Sequence, residues 1–278
     1  MKGNGSVFST ILIVSVLMIS VPLCSQEQSS STGYTPQIGQ KGKDVVWVPT
    51  PQVLVDKMLE IAKVTPADFV IDLGSGDGRT VISAAKIGAR ALGVEYNPDM
   101  VELSRENAVK AGVIDHAEFI NADLFDIDLS KATVITLFLL PELNLKLRPK
   151  LLDLKPGTRI VSNTFTMGDW EADYKITTEE NWNSWNEAHL WIIPAKVEGK
   201  WKSGNQEINL IQKYQKVHGT ITSDGKSAEI SDGKLKGNLI SFSAGDYRYT
   251  GQTESNKITG TATSLRDGKT TNWIAERE

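Results

Sequence analysis

The stretch Phe69-Val-Ile-Asp-Leu-Gly-Ser-Gly-Asp-Gly-Arg-Thr80 decides how the rest of the chain is read. A short apolar strand carries an acid, Asp72, near its end. Glycines follow at every second position, Gly74, Gly76 and Gly78, and then a helix begins. Lacking a Cβ, glycine tolerates positive φ and lets a ligand approach the backbone. Open α/β sheets bind nucleotide-like ligands at the carboxyl end of such a first strand. The spacing departs from the dinucleotide fingerprint, because its third glycine would fall on Arg79.

Outward from this turn, strands and helices alternate. The strand at Phe69–Leu73 is followed by strands predicted at 89–95, 117–121, 132–140 and 158–165. Helices are predicted at 79–87, 98–111 and 142–154, and another starts at Pro51 with Thr50 placed to cap it. The alternation predicts an α/β domain with a parallel, Rossmann-like sheet and helices on both faces. Leu190-Trp-Ile-Ile193 and the run 174–178 are expected to add antiparallel strands at an edge.

Two further acids stand at successive strand ends. Glu95 lies 23 residues beyond Asp72, where a carboxylate is placed to accept from two ribose hydroxyls. Asp123 follows the third strand in Ile120-Asn-Ala-Asp123. Singly they read as a helix cap, a solvated glutamate and a loop aspartate. Together at three consecutive strand ends they read as a binding site.

With Asp72 leading the turn, the pattern resembles motif I of class I S-adenosylmethionine-dependent methyltransferases. Val48-Pro-Thr-Pro51, Leu139-Leu-Pro-Glu-Leu-Asn144 and Leu147-Arg-Pro-Lys-Leu-Leu152 narrow the resemblance. Over about residues 44–170 the chain is similar to the protein-lysine methyltransferases related to the ATP synthase c-subunit enzyme. The resemblance implies S-adenosylmethionine bound at Asp72, Gly74, Ser75, Gly76, Glu95 and Asp123, with Asp123 toward the adenine amino group. It also implies an acceptor pocket near Leu140, with Pro141, Glu142 and Asn144 as its working residues and 48–51 closing it. The other reading of Glu142 and Asn144 is the first turn of a helix, where an acid suits the dipole. A methyl sulfonium needs an in-line, dehydrated nucleophile rather than a Ser-His-Asp or Cys-His set. A protein lysine is the implied acceptor. A small-molecule acceptor on the same fold, or an exported binding protein without turnover, are the competing readings.

After Pro194 the helical period stops. Residues 196–278 show short alternating runs broken at Ser203-Gly204, Asp224-Gly225, Asp232-Gly233 and Asp267-Gly268. They predict an antiparallel β-sheet or β-barrel module beside the methyltransferase domain at 44–195. Its opening, Val197-Glu-Gly-Lys-Trp201, resembles the start of lipocalin-like barrels.

The remaining features set limits. Net charge is −4 with no long basic run, which gives no support for a nucleic-acid partner. Cys24 is the single cysteine, so no intrachain disulfide forms, and His116, His189 and His218 lack ligand spacing, so no metal is expected. Residues 1–25 carry Lys2 and an apolar run at 7–23, which reads as an export signal cleaved after Ser25 or as a membrane anchor. Either implies association with the membrane or cell envelope. Residues 26–43 read as a flexible linker.

Overall fold

The computed structural model describes residues 1–3, 33–179 and 185–278. The run at 7–23, Cys24 and the first part of the expected linker lie outside the described residues. Among the described residues no helix is long and apolar enough to cross a membrane.

The first half is built from β1 (Phe69–Leu73), β2 (Arg90–Glu95), β3 (Ala117–Asn121), β4 (Val134–Leu137), β5 (Arg159–Asn163), β6 (Tyr174–Thr177) and β7 (Glu187–Ile192). The helices are α1 (Gln52–Ile61), α2 (Arg79–Lys86), α3 (Pro98–Lys110) and α4 (Pro141–Leu152). The sheet order is β3-β2-β1-β4-β5-β7-β6. Strands β1 to β5 pair in parallel, while β7 runs antiparallel to β5 and to β6. The order reverses between β1 and β4, which opens a crevice beyond their carboxyl ends.

Alternation along the strands splits the core into two layers. Val70, Val134, Val161 and Leu190 pack with α1, α2 and α3. Their neighbours Ile71, Ile135, Ile160 and Trp191 face the other way, onto α4 and Trp170. Strands β4 and β5 are shorter than the apolar runs predicted at 132–140 and 158–165. The chain leaves the sheet after Leu137 and after Asn163, and the surplus apolar residues wall the crevice instead. Thr50 does not cap α1. Pro51 takes the cap position without a side-chain bond, and Thr50 Oγ1 accepts from Asn163 Nδ2 at 3.2 Å.

The second half is a closed up-and-down barrel of eight strands. These are β8 (Gly199–Ser203), β9 (Gln206–Lys213), β10 (Lys216–Ser223), β11 (Lys226–Lys236), β12 (Leu239–Ala244), β13 (Tyr247–Glu254), β14 (Lys257–Ser264) and β15 (Thr270–Arg277). Pairing of Arg277 with Trp201 closes the ring. There the Arg277 guanidinium stacks 4.4 Å from the Trp201 ring centroid and donates to the Lys196 and Glu198 carbonyls. Inside, Phe242 stacks on Tyr249 at 4.9 Å and Trp273 meets both edge-on, so side chains fill the interior. The exposed positions of β9 and β10 include Glu207, Asn209 and His218. Asp232-Gly233 is a β-bulge inside β11 rather than a hairpin turn. A Cβ on Gly233 would fall 2.0 Å from the Val217 carbonyl oxygen, so the glycine serves close strand contact.

The barrel sits on the α4 side of the sheet. Trp170 is 1% exposed and its ring lies 5.7 Å from Tyr214 and 6.1 Å from Trp191. Its Nε1 donates to Gln215 Oε1 at 3.0 Å. Three alternate acids beside it each meet a barrel lysine: Asp169 with Lys213, Glu171 with Lys216 and Asp173 with Lys234. The pairs of Asp169 and Glu171 are exposed and fix orientation more than stability, whereas the Asp173 carboxylate is buried. Burial of Trp170 carries the contact, so Trp170→Ala is expected to cost about 3–5 kcal/mol. Scanning calorimetry should then resolve separate melting of sheet and barrel; one unshifted transition would remove Trp170 from that role.

Candidate active site

The crevice at the switch point is a cavity of about 420 Å³. Asp72, Gly74, Ser75, Gly76, Glu95 and Asp123 all line it, so the strand-end acids and the glycine turn converge on one space.

The turn between β1 and α2 is shaped by its glycines. Gly74, Gly76 and Gly78 have φ of +81°, +55° and +82°. A Cβ on Gly76 would lie 2.6 Å from Trp47 Nε1. The Glu95 carboxylate braces this turn, accepting from Gly76 N–H at 3.0 Å and from Asn97 N–H at 2.9 Å. Ser104 Oγ donates to the Gly76 carbonyl at 2.8 Å from the far side. The Ser75 hydroxyl is buried without a partner among the described residues.

Asp72 is 7% exposed and accepts from Thr136 Oγ1 at 2.6 Å, across the β1–β4 pair. Burial pushes its carboxyl from an ordinary 3.8 up to about 7, with the nearby Glu95 and Asp77 adding to the rise. Such a group is poised to ionise when a cation arrives. Asp123 accepts from Phe125 N–H at 2.9 Å and pairs with Lys43. The hydrogen bond from Lys43 holds its carboxyl below the usual carboxylate range.

Lys43 belongs to a strap over the cavity. Gly39 N–H donates to the Trp47 carbonyl at 2.8 Å and Trp47 N–H donates to the Gln40 carbonyl at 2.9 Å, folding residues 39–47 into a hairpin. Gln40, Gly42 and Lys43, in the run read from sequence as the end of a linker, therefore line the cavity.

The opposite end is apolar. Leu139, Leu140 and Leu143 line it beside Phe138, Phe165 and Trp185. Pro141 and Glu142 are exposed at the start of α4 and are not among the lining residues. Asn144 is fully buried, and its Nδ2 donates to the Phe165 and Thr166 carbonyls at 3.4 and 3.3 Å. It holds the loop after β5 rather than facing the cavity. Sequence reasoning missed Lys43, Trp47, Phe165 and Trp185. The one local signal was a tryptophan pair in the polar run 179–186, which no apolar period explains.

These residues fit a nucleoside carrying a cationic amino-acid arm. Glu95 and Asp123 keep free lone pairs for hydroxyl and amino donors. Asp72 offers a buried counter-charge, and the glycine turn admits close approach. If Glu95 both braces the turn and accepts from the ligand, Glu95→Ala should weaken S-adenosylhomocysteine binding by about 1–3 kcal/mol. It should also loosen Gly76 and Asn97, read as faster amide exchange there. Unchanged affinity by calorimetry would exclude Glu95 from the site.

Comparison with known proteins agrees with this geometry. A sequence model described as the ANTKMT methyltransferase domain matches residues 72–174. A protein-lysine N-methyltransferase of Saccharolobus islandicus is 43% identical over 152 residues, covering 54% of this chain and 94% of that protein. The ATP synthase c-subunit lysine N-methyltransferase of Xenopus laevis is 34% identical over 129 residues, 46% of this chain and 57% of that enzyme. A crystal structure described as an RNA methyltransferase from Salinibacter ruber, in complex with S-adenosyl-L-homocysteine, superposes with a TM-score of 0.51. It shares 49% identity and covers 54% of this chain and 96% of that one.

Proposed function

Because this chain belongs to the protein-lysine N-methyltransferase family, we infer that it transfers methyl groups from S-adenosylmethionine to a lysine amine of a protein. The observation that carries the reading is the cavity itself. One end holds the glycine turn with Asp72, Glu95 and Asp123, and the other is an apolar wall.

S-adenosylmethionine, when bound, supplies an electrophilic methyl on a positively charged sulfur that leaves as a neutral thioether. Asp72 would accept hydrogen bonds from the amino-acid part of the bound donor. Glu95 and the glycine backbone fix the ligand's orientation, which is the main catalytic demand of such a transfer. The acceptor wall holds no ionisable group among Leu137, Phe138, Leu139, Leu140, Leu143, Phe165 and Trp185. Only the neutral amine of an entering lysine, the form with a free lone pair, can attack the methyl group. The rate is therefore expected to rise with pH toward the lysine pKa.

The Salinibacter relative's description supports a second reading, transfer to RNA. The net charge of −4 favours protein. Tritiated donor given to a mixed cell extract separates the two. Label removed by protease supports the proposal, and label removed by ribonuclease overturns it.

For location we propose the membrane or envelope, on the strength of the apolar run at 7–23. Fractionation of the tagged full chain tests this; recovery wholly in the soluble cytoplasmic fraction would contradict it.

A further inference from the structure

Three aromatic rings from three separate segments border the acceptor end of the cavity. Phe138 follows β4, Phe165 follows β5 and Trp185 precedes β7. Ring centroids are 6.1 Å apart for Phe138–Phe165, 5.6 Å for Phe138–Trp185 and 5.5 Å for Phe165–Trp185. Phe138 and Phe165 stack at 23°, and Trp185 meets them at 64° and 55°, so the three rings form one packed cluster in the cavity wall. All three are half-buried.

The backbone is set up to hold one of these rings. Thr164 has φ of +58°, a conformation that β-branched residues rarely adopt. It is kept there by its N–H on the Glu187 carbonyl at 2.8 Å and its Oγ1 on Asn163 Oδ1 at 2.8 Å. The next residue is Phe165, whose carbonyl receives Asn144 Nδ2. Strain kept beside a cavity by surrounding bonds points to a positioned side chain. A merely apolar gap could be filled by leucines, as it is at Leu139, Leu140 and Leu143.

We propose that Phe138, Phe165 and Trp185 form a cation-accepting subsite for the acceptor's alkylammonium group. The inference rests on the amine-transfer reading above. In that transfer the nitrogen lone pair forms the N–C bond while the C–S pair returns to sulfur. Positive charge thus passes to the nitrogen, and a proton then leaves to water. The negative faces of aromatic rings meet that charge without the strong ground-state hydration a carboxylate brings. They favour the charged transition state over the neutral amine, which is the direction catalysis requires. Asn144 is a positioning residue for Phe165.

The test is binding to the full chain saturated with S-adenosylhomocysteine. Two probes are compared by calorimetry: Nα-acetyl-trimethyllysine amide and its uncharged isostere with a tert-butyl carbon in place of the nitrogen. The charged probe is expected to bind at least about tenfold tighter. In Phe165→Leu and Trp185→Leu that preference should collapse while affinity for S-adenosylhomocysteine stays within about twofold. Equal or better binding of the neutral isostere overturns the subsite, as does failure of both probes to bind. Loss of S-adenosylhomocysteine binding in one leucine variant shifts the test to the other. If wild-type and leucine variants label protein equally well, the subsite falls and the lysine reading stands. If the cationic preference holds but no protein is labelled, the subsite stands and the lysine reading falls.

Discussion

Replacing Asp72 with Asn is expected to make the folded protein more stable at neutral pH and to lower its activity at limiting cofactor. The Asp72 carboxyl is raised by burial to about 7 from an ordinary 3.8. The folded state therefore binds more protons than the unfolded state between these values. Stability is fully present below about pH 4, falls as pH rises toward 7 and carries the whole penalty above it. The penalty is on the order of a few kcal/mol. Asn keeps the shape, does not ionise and still accepts from Thr136 Oγ1, so the penalty disappears. Binding changes in the opposite direction. A hydrogen bond to a charged group contributes about 1.5–3 kcal/mol, so affinity for S-adenosylmethionine should fall by about tenfold to a hundredfold. In the native protein that affinity should rise between pH 6 and 8 as Asp72 ionises, and in Asp72→Asn the profile should be flat. Thermal melts across pH with parallel calorimetry check both arms. A variant less stable at pH 8, or one keeping the native pH profile, would count against this role for Asp72.

Gly78→Ala is expected to produce the largest loss of stability at the turn. A Cβ there would lie 2.8 and 2.9 Å from two ring carbons of Phe119 and 2.9 Å from Ser104 Cβ, at φ of +82°. Phe119 has little room to retreat, since it also lies 2.6 Å from where a Cβ on Gly93 would be. Overpacking and a strained φ together cost about 2–4 kcal/mol. Ser104 also secures the Gly76 carbonyl, so displacing it should disturb the turn and weaken cofactor binding in the same variant. Denaturant unfolding and S-adenosylhomocysteine titration measure the two effects. A change under about 0.5 kcal/mol would mean the turn relaxes freely.

The first half of the fold was legible because its signals are local. Three glycines force a turn, and an acid at a strand end is placed by the period of the strand alone. Asp72, Glu95 and Asp123 thus reached one cavity as their spacing implied. The acceptor end was less legible because distant segments assemble it. Phe165 and Trp185 meet Phe138 only through the packing of β4, β5 and β7, which no short window contains. Glu142 and Asn144 looked alike in sequence, two residues apart. Helix α4 exposes one and buries the other. The barrel announced itself by its Gly turns, but Asp232-Gly233 shows the limit of that signal. The same dipeptide makes a turn or a bulge according to what the neighbouring strand brings against it. The docking of Trp170 on Tyr214 and Gln215 joins the two halves through residues that each read as ordinary core or loop.

Amino-acid analysis of labelled protein tests the central claim most directly. The full chain and Asp72→Asn are incubated with tritiated S-adenosylmethionine and membrane and soluble proteins of the native host. Precipitated protein is hydrolysed and the label is separated by chromatography. The account predicts radioactivity co-eluting with Nε-methylated lysines, present with the full chain and reduced at least about tenfold with the variant at limiting donor. Label confined to small molecules or nucleic acid, with no methyl-lysine despite measured cofactor binding, would contradict it.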